Sequence, residues 1–274
     1  MLEGDFMWYI VAGVLLGLIA LYLFLVAPRM VNKPARTPLM GVHYAHRGLF
    51  NNETDAPENS LKAFRKAVDA GYGMEFDVQL SKDDIPVVFH DATLKRMCGV
   101  EGNVWDYTLE ELQQMKLADS NQTIPTLVQV LEVVGGKVPL IIEYKMDRAD
   151  TKVCELGNEI LKQYTGTYCI ESFHPLAVQW YRKHRPDIVR GQLSQNYRKH
   201  GKKKFIFWLM TNLFSNFLTR PDFIAYHHAD ASDLSRNVCK ILGALSVAYT
   251  IKNREQYQKA KKHFDLFIFD SFKL

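Results

Sequence analysis

Residues 74–91 read MEFDVQLSKDDIPVVFHD, and they decide how the chain folds. MEFDV (74–78) and PVVFH (86–90) are short apolar runs with the composition of strands. Only QLSKDDI (79–85) joins them, too little for the crossover that parallel neighbours need, so the second run returns antiparallel as a hairpin arm. Working outward, the remaining strand-like runs are VHYAH (42–46), LIIEY (140–144), YCIES (168–172), IVRGQL (188–193), FIAYH (223–227), LSVAY (245–249) and LFIFD (266–270). With the hairpin arm set aside, eight strands alternate with helical or long connections over roughly 230 residues, the dimensions of a (β/α)8 TIM barrel. An open nucleotide-binding sheet is the competitor, but no GxGxxG or GxxxxGK[ST] follows any strand.

The helices between the strands carry their own boundary signals. Thr108 with Glu111, and Thr126 with Gln129, match capping boxes, and Gly135 stops the helix that Leu127, Val130, Leu131 and Val134 stripe. Leu61, Phe64, Ala67 and Val68 form a second stripe, Pro175 opens another helix that Pro186 follows, and Asn253 with Gln256 starts the last.

Of 274 residues, 47% are hydrophobic and 23% charged, which excludes a disordered chain, and 34 Lys and Arg against 30 Asp and Glu leave a charge of +4, too mild for a nucleic-acid partner. Cys98, Cys154, Cys169 and Cys239 have neither CxxC nor zinc spacing, so neither a disulfide framework nor a structural zinc is expected. After a short tail at residues 1–5, Phe6–Ala27 runs 22 residues without a charged side chain, enough to cross a bilayer as one retained helix. Arg29, Lys33 and Arg36 follow its exit in a Pro-rich linker at 28–40, and no Lys or Arg precedes it. That asymmetry predicts a single-pass protein whose domain at 41–274 is cytoplasmic. Gly13 and Gly17 form a GxxxG, the pattern of a weak homodimer seam, although small residues are common in membrane helices and that plain reading is preferred.

Barrel chemistry belongs at the C-terminal ends of strands, where this sequence places its unusual polar residues. His46 and Arg47 end the first strand, and Glu75 and Asp77 lie two apart, on one face, in the second. His90 and Asp91 end the hairpin arm, and Glu143 and Lys145 end the next strand on one face. Taken singly, each reads as a structural histidine, a solvated carboxylate or an ion pair. Together, three carboxylates at one mouth repel without a cation, and an all-oxygen set suits Mg²⁺ or Ca²⁺. Two histidines beside it can divide general base from general acid, and Arg47 offers a fork for phosphate.

At these residues the sequence resembles the glycerophosphodiester phosphodiesterase (GDPD) family. The matching pieces are His46-Arg47-Gly48, Pro57-Glu58-Asn59-Ser60 with Ala63-Phe64, Glu75-Phe76-Asp77-Val78, Lys82-Asp83, Val87-Val88-Phe89-His90-Asp91 and Glu143-Tyr144-Lys145. Ile124-Pro125-Thr126-Leu127 and Ser172-Phe173 extend the likeness, and Ala248-Tyr249-Thr250 and Phe269-Asp270-Ser271 depart from it. The resemblance implies a metal-dependent TIM barrel in which Glu75, Asp77 and Glu143 bind a divalent cation, His46 and His90 are the acid/base pair, and Arg47 and Lys145 hold phosphate. It also implies release of glycerol 3-phosphate and an alcohol from a glycerophosphodiester. A lysophospholipase D acting on bilayer lysolipids is the alternative enzyme, and a non-catalytic membrane-tethered binding domain is the alternative outside enzymes. Residues 196–220, basic at Lys202–Lys204 and apolar from Phe205, are expected to form an insertion at the membrane interface that turns the barrel mouth towards lipid.

Overall fold

The structure is a computed structural model and describes residues 2–146, 150–270 and 272–274. Met1 and Ser271 lie outside the described residues.

Among the described residues nine strands form one sheet: β1 (Tyr44–His46), β2 (Gly73–Leu80), β3 (Pro86–Val88), β4 (Leu140–Tyr144), β5 (Tyr168–Ser172), β6 (Arg190–Ser194), β7 (Phe223–His227), β8 (Leu245–Ile251) and β9 (Leu266–Phe269). Eight are parallel in the order β1-β9-β8-β7-β6-β5-β4-β2, and the β1–β2 pairing closes them into a barrel. β3 pairs antiparallel with β2 through Val78–Val88 and Leu80–Pro86, as the short QLSKDDI connection requires. There is room for it because β1 stops at His46, opposite Glu75, leaving the far end of that β2 edge unpaired.

Side chains alternate along each strand, so Tyr44, Ile141, Cys169, Ala225, Val247 and Ile268 pack together inside the barrel. The alternate positions, such as Phe76, Ile142 and Ile170, face the helix layer with Phe64, Val130 and Tyr181. Both expected capping boxes form, on the helices Leu109–Gln114 and Leu127–Val134, and Gly135 ends the second in the left-handed region at φ 56°. Val87, Phe89, Leu94, Met97, Val104 and Leu112 add a satellite core beneath the loops that follow β3. Its runs are too short and irregular to carry a clear period in the sequence.

The N-terminal helix spans Leu2–Val26, and its Met7–Val26 stretch, of mean hydropathy 2.6, is long and apolar enough to cross a membrane. Its last turns pack on the barrel's outer wall. Tyr22 Oη lies 3.0 Å from Ser235 Oγ, in the first turn of the helix Leu234–Ile241 that follows β7. Further along, Asn216 Nδ2 donates to Val26 O at 2.8 Å, and Arg29 N donates to Pro221 O, just before β7, at 2.9 Å. Read backwards from Arg29, the helix therefore climbs from the base of the barrel to its mouth, and Leu2–Leu21 extend past the mouth by about 30 Å. Residues 28–40 follow the base: Lys33 and Arg36 each donate to Gly243 O at 2.9 Å, and Leu39 closes the barrel floor. A Cβ added at Gly13 or Gly17 would meet nothing within 4 Å among the described residues.

Candidate active site

The barrel register sets the site. His46 stands opposite Glu75, Asp77 opposite Glu143, and Glu143 opposite Glu171; His46, Glu143 and Glu171 are at or next to the C-terminal ends of their strands, and the longer β2 runs on past Glu75 and Asp77. Glu75, Asp77 and Glu143 are buried and offer oxygens within 4.8 Å of one another, so the three expected ligands converge. Lys145 comes with them, its Nζ 2.8 Å from Glu143 Oε1 and 3.0 Å from Asp77 Oδ1.

One ammonium does not balance this charge. Burial raises the Glu75 carboxyl well above its usual range, and Asp77, Glu143 and Glu171 push it the same way. Burial also raises Glu143 against the pull of Lys145. Asp77 shows the opposite balance: burial alone would raise it, but Lys145, His90, Arg47 and His46 together hold it far below the ordinary carboxylate value. Lys145 itself is raised, Asp77 and Glu143 outweighing its burial. Glu75 Oε2 and Glu171 Oε2 are buried without a hydrogen-bond partner among the described residues. Such oxygens are costly in a protein interior unless a cation or a proton meets them.

Both histidines sit at the rim with a carboxylate behind the ring. His46 Nδ1 lies 3.1 Å from Asp270 Oδ2, and its Nε2 faces the cluster, 3.8 Å from Glu75 Oε2. Burial lowers His46, partly offset by Asp270. His90 Nδ1 lies 2.6 Å from Asp91 Oδ1. Asp91 is gripped by Arg96, whose Nε donates to Asp91 Oδ2 at 2.6 Å and whose Nη2 donates to Glu58 Oε1 at 2.6 Å. Glu58 Oε1 also accepts from Arg47 Nη1 at 2.7 Å, so one ionic chain runs from His90 to Arg47. Arg47 Nε, 3.7 Å from Asp77 Oδ2, is buried and has no hydrogen-bond partner.

Local geometry explains the sequence around these groups. Arg47 and Gly48 both have positive φ, at 56° and 83°, and turn the chain sharply out of β1. A Cβ on Gly48 would stand 2.9 Å from the Ala63 carbonyl carbon, so the glycine lets the turn press against the helix Leu61–Asp69. Asn59 Nδ2 donates to Asp77 Oδ2 at 3.1 Å, and Ser60 caps that helix by accepting from Ala63 N. A cavity of about 210 Å³ beside the carboxylates is lined by Glu143, Lys145, Phe173, His174 and Met210. Met210 belongs to the 196–220 insertion, so that segment walls the site.

All seven expected site residues thus meet at one mouth. Glu58, Arg96, Glu171 and Asp270 join them without being among the residues expected from the sequence. Glu171 and Asp270 carry the same signal as Glu143, a charge in or at the end of an apolar run, whereas Arg96 becomes visible only when distant segments are brought together.

A barrel with converging carboxylates and paired histidines at its mouth defines a hydrolase-like centre, and sequence comparison agrees. Residues 46–270 match the Glycerophosphoryl diester phosphodiesterase family, and the chain belongs to that family. It is 42% identical over 109 residues to a glycerophosphodiester phosphodiesterase of Caldanaerobacter subterraneus, a match covering 37% of this chain and 44% of that protein. It is 30% identical over 160 residues to a lysophospholipase D of Rattus norvegicus, covering 54% of this chain and 49% of the relative. The matched part thus spans less than half the length of either relative. Among solved structures, a phosphodiesterase from Oleispira antarctica in complex with the product sn-glycerol-3-phosphate superposes with TM-score 0.69 at 25% identity, covering 85% of this chain and 93% of that one.

Proposed function

We propose that the chain is a metal-dependent hydrolase that cleaves glycerophosphodiesters to glycerol 3-phosphate and an alcohol. The observation that carries this is the convergence of three buried carboxylates, with Glu75 Oε2 lacking a hydrogen-bond partner among the described residues, between two histidines that each have a carboxylate on Nδ1. Those residues fit a hard divalent cation, Mg²⁺ or Ca²⁺, on Glu75, Asp77 and Glu143. When bound, the ion neutralises the cluster and polarises a phosphoryl oxygen. The remaining work falls to the side chains. Asp270 and Asp91 fix the ring orientations of His46 and His90 and leave each Nε2 for proton transfer. One histidine accepts the proton of the attacking hydroxyl, and the other protonates the departing alcohol oxygen. Arg47, held by Glu58 with its Nε unpartnered, and Lys145 bind the phosphate. The test is product identity: purified full-length protein with glycerophosphocholine is expected to release glycerol 3-phosphate and choline. Release of phosphocholine, or no turnover with either Mg²⁺ or Ca²⁺, contradicts the reading.

A second reading, hydrolysis of bilayer lysolipids in the manner of a lysophospholipase D, is favoured by the position of the apolar surface. Phe205 is 71% and Ile206 54% exposed on the short helix Phe205–Thr211, and neighbouring Trp208 stacks edge-on to Phe214, which in turn meets Tyr22. The patch therefore lies where the N-terminal helix leaves the barrel wall beside the mouth. A helix anchored in a membrane would hold the mouth against the lipid, with Lys202–Lys204 at anionic headgroups. The basic residues after the helix support a cytoplasmic position for the barrel. In the full chain, Phe205→Asp/Ile206→Asp is expected to lower kcat/KM about tenfold on lysophosphatidylcholine in anionic vesicles and to leave soluble glycerophosphocholine unaffected. Equal effects on both substrates, or no effect on either, remove the segment from lipid contact.

A further inference from the structure

Outside the carboxylate centre, one more set of metal-ligating side chains converges among the described residues. His200 comes from the insertion after β6, His227 ends β7, and Asp230 lies in the turn that follows. Nitrogen and oxygen atoms of the three lie within 4.8 Å of one another. His200 Nε2 is 3.4 Å and His227 Nδ1 is 3.8 Å from the same oxygen, Asp230 Oδ2. These separations are too long for the hydrogen bonds that His46 and His90 make to their carboxylates at 3.1 and 2.6 Å. They approach the spacing of about 3.3 Å between ligand atoms that each sit about 2.05 Å from a tetrahedral zinc ion. His227 Nδ1 is buried and has no hydrogen-bond partner, so a donor atom is aimed into the cluster without a use there.

We propose that His200, His227 and Asp230 form a second metal site, selective for Zn²⁺ and independent of the carboxylate centre. Two imidazoles and one carboxylate are a borderline-soft ligand set that takes zinc in preference to Mg²⁺ or Ca²⁺, and three protein ligands leave one position for water. Asp230 is buried and already meets positive charge: Lys199 Nζ lies 3.1 Å from Oδ1, and Asn196 N donates to Oδ2 at 3.0 Å. The Lys199 side chain is 56% exposed and can swing into solvent when an ion arrives. His228 packs against His227 with ring centres 4.9 Å apart and so helps to hold that ring. Zinc would pin the loop at 196–204, which carries Lys202–Lys204, to the end of β7, and so would stiffen the insertion whose Met210 walls the reaction cavity.

The test uses the metal-stripped full-length protein in detergent, titrated with Co²⁺ as a spectroscopic probe and with Zn²⁺ in competition, in millimolar Mg²⁺. Wild type is expected to show the visible absorption of one nitrogen-ligated Co²⁺, displaced by one equivalent of Zn²⁺. Glu75→Gln/Glu143→Gln, which cripples the other centre, is expected to keep it. His200→Ala, a change at a surface side chain, is expected to weaken binding by about 10–100-fold or more. Zinc should also slow tryptic cleavage after Lys202–Lys204 in wild type and leave it unchanged in His200→Ala. A Co²⁺ spectrum unaffected by His200→Ala, or lost in the Glu75/Glu143 variant, or absent from wild type, overturns the proposal.

Discussion

His46 and His90 are held by different means, and that difference bears on how each can be tested. His46 is at the end of β1 with Asp270, from the end of β9, behind it. His90 leans on its own neighbour Asp91, and Arg96 secures that carboxylate. Neither ring belongs to an apolar core cluster, so His46→Ala and His90→Ala should each lower kcat by about 10²–10⁴ while Tm shifts by no more than a few degrees. Near-wild-type turnover in either variant would remove that histidine from proton transfer. Glu58 links the two halves of the rim and titrates in a way that stability can read. Burial raises it, but hydrogen bonds from Arg96 and the charge of Arg47 prevail and bring it down from 4.5 to about 2. A folded-state value below the unfolded one stabilises the protein above pH 4.5, by about 3 kcal/mol, and that contribution is lost as pH falls from 4.5 towards 2. The acid limb of a Tm-against-pH curve should therefore be shallower in Glu58→Gln. An unchanged slope would show that Glu58 is not held by the two arginines.

Among the elements, the turn after β1 constrains the site most tightly. Gly48 at φ 83° has no space for a side chain against the helix Leu61–Asp69. Gly48→Ala is expected to cost about 1–3 kcal/mol in denaturant unfolding and to lower activity by shifting His46 and Arg47. Unchanged stability would mean that the turn relaxes freely. The elements also show what a single sequence discloses. LIIEY, YCIES and FIAYH are strands over their full expected ranges, because apolar runs bounded by turn residues leave little choice. β1 is shorter than VHYAH and β2 longer than MEFDV, because strand ends are set by register with neighbours. Arg47, Glu75, Asp77, Glu143 and Lys145 were legible as charges in or beside apolar runs. Arg96 was not, since an exposed-looking arginine acquires meaning only from its partners, and the charge at Asp270 ends the run LFIFD but its pairing with His46 comes only from barrel closure.

For the whole molecule, the N-terminal helix and the barrel share a wall instead of meeting through a free tether. Tyr22 and Val26 touch the helices beside β7, and Arg29, Lys33 and Arg36 hold the base. Orientation of the helix then fixes orientation of the mouth. A reporter that fluoresces only in the cytoplasm should be active when fused after Leu274, and activity confined to a periplasmic or luminal reporter would reverse the topology.

In the proposed function Glu75, Asp77 and Glu143 serve hydrolysis by holding a divalent cation. It is tested most directly by following glycerol 3-phosphate release from glycerophosphocholine in excess EDTA, then with Mg²⁺ or Ca²⁺ restored, for wild type and Glu75→Gln. EDTA is expected to abolish turnover, one of the two ions to restore it in wild type, and Glu75→Gln to need far more of that ion or fail to recover. Full turnover in EDTA, or identical ion dependence in both proteins, would contradict it.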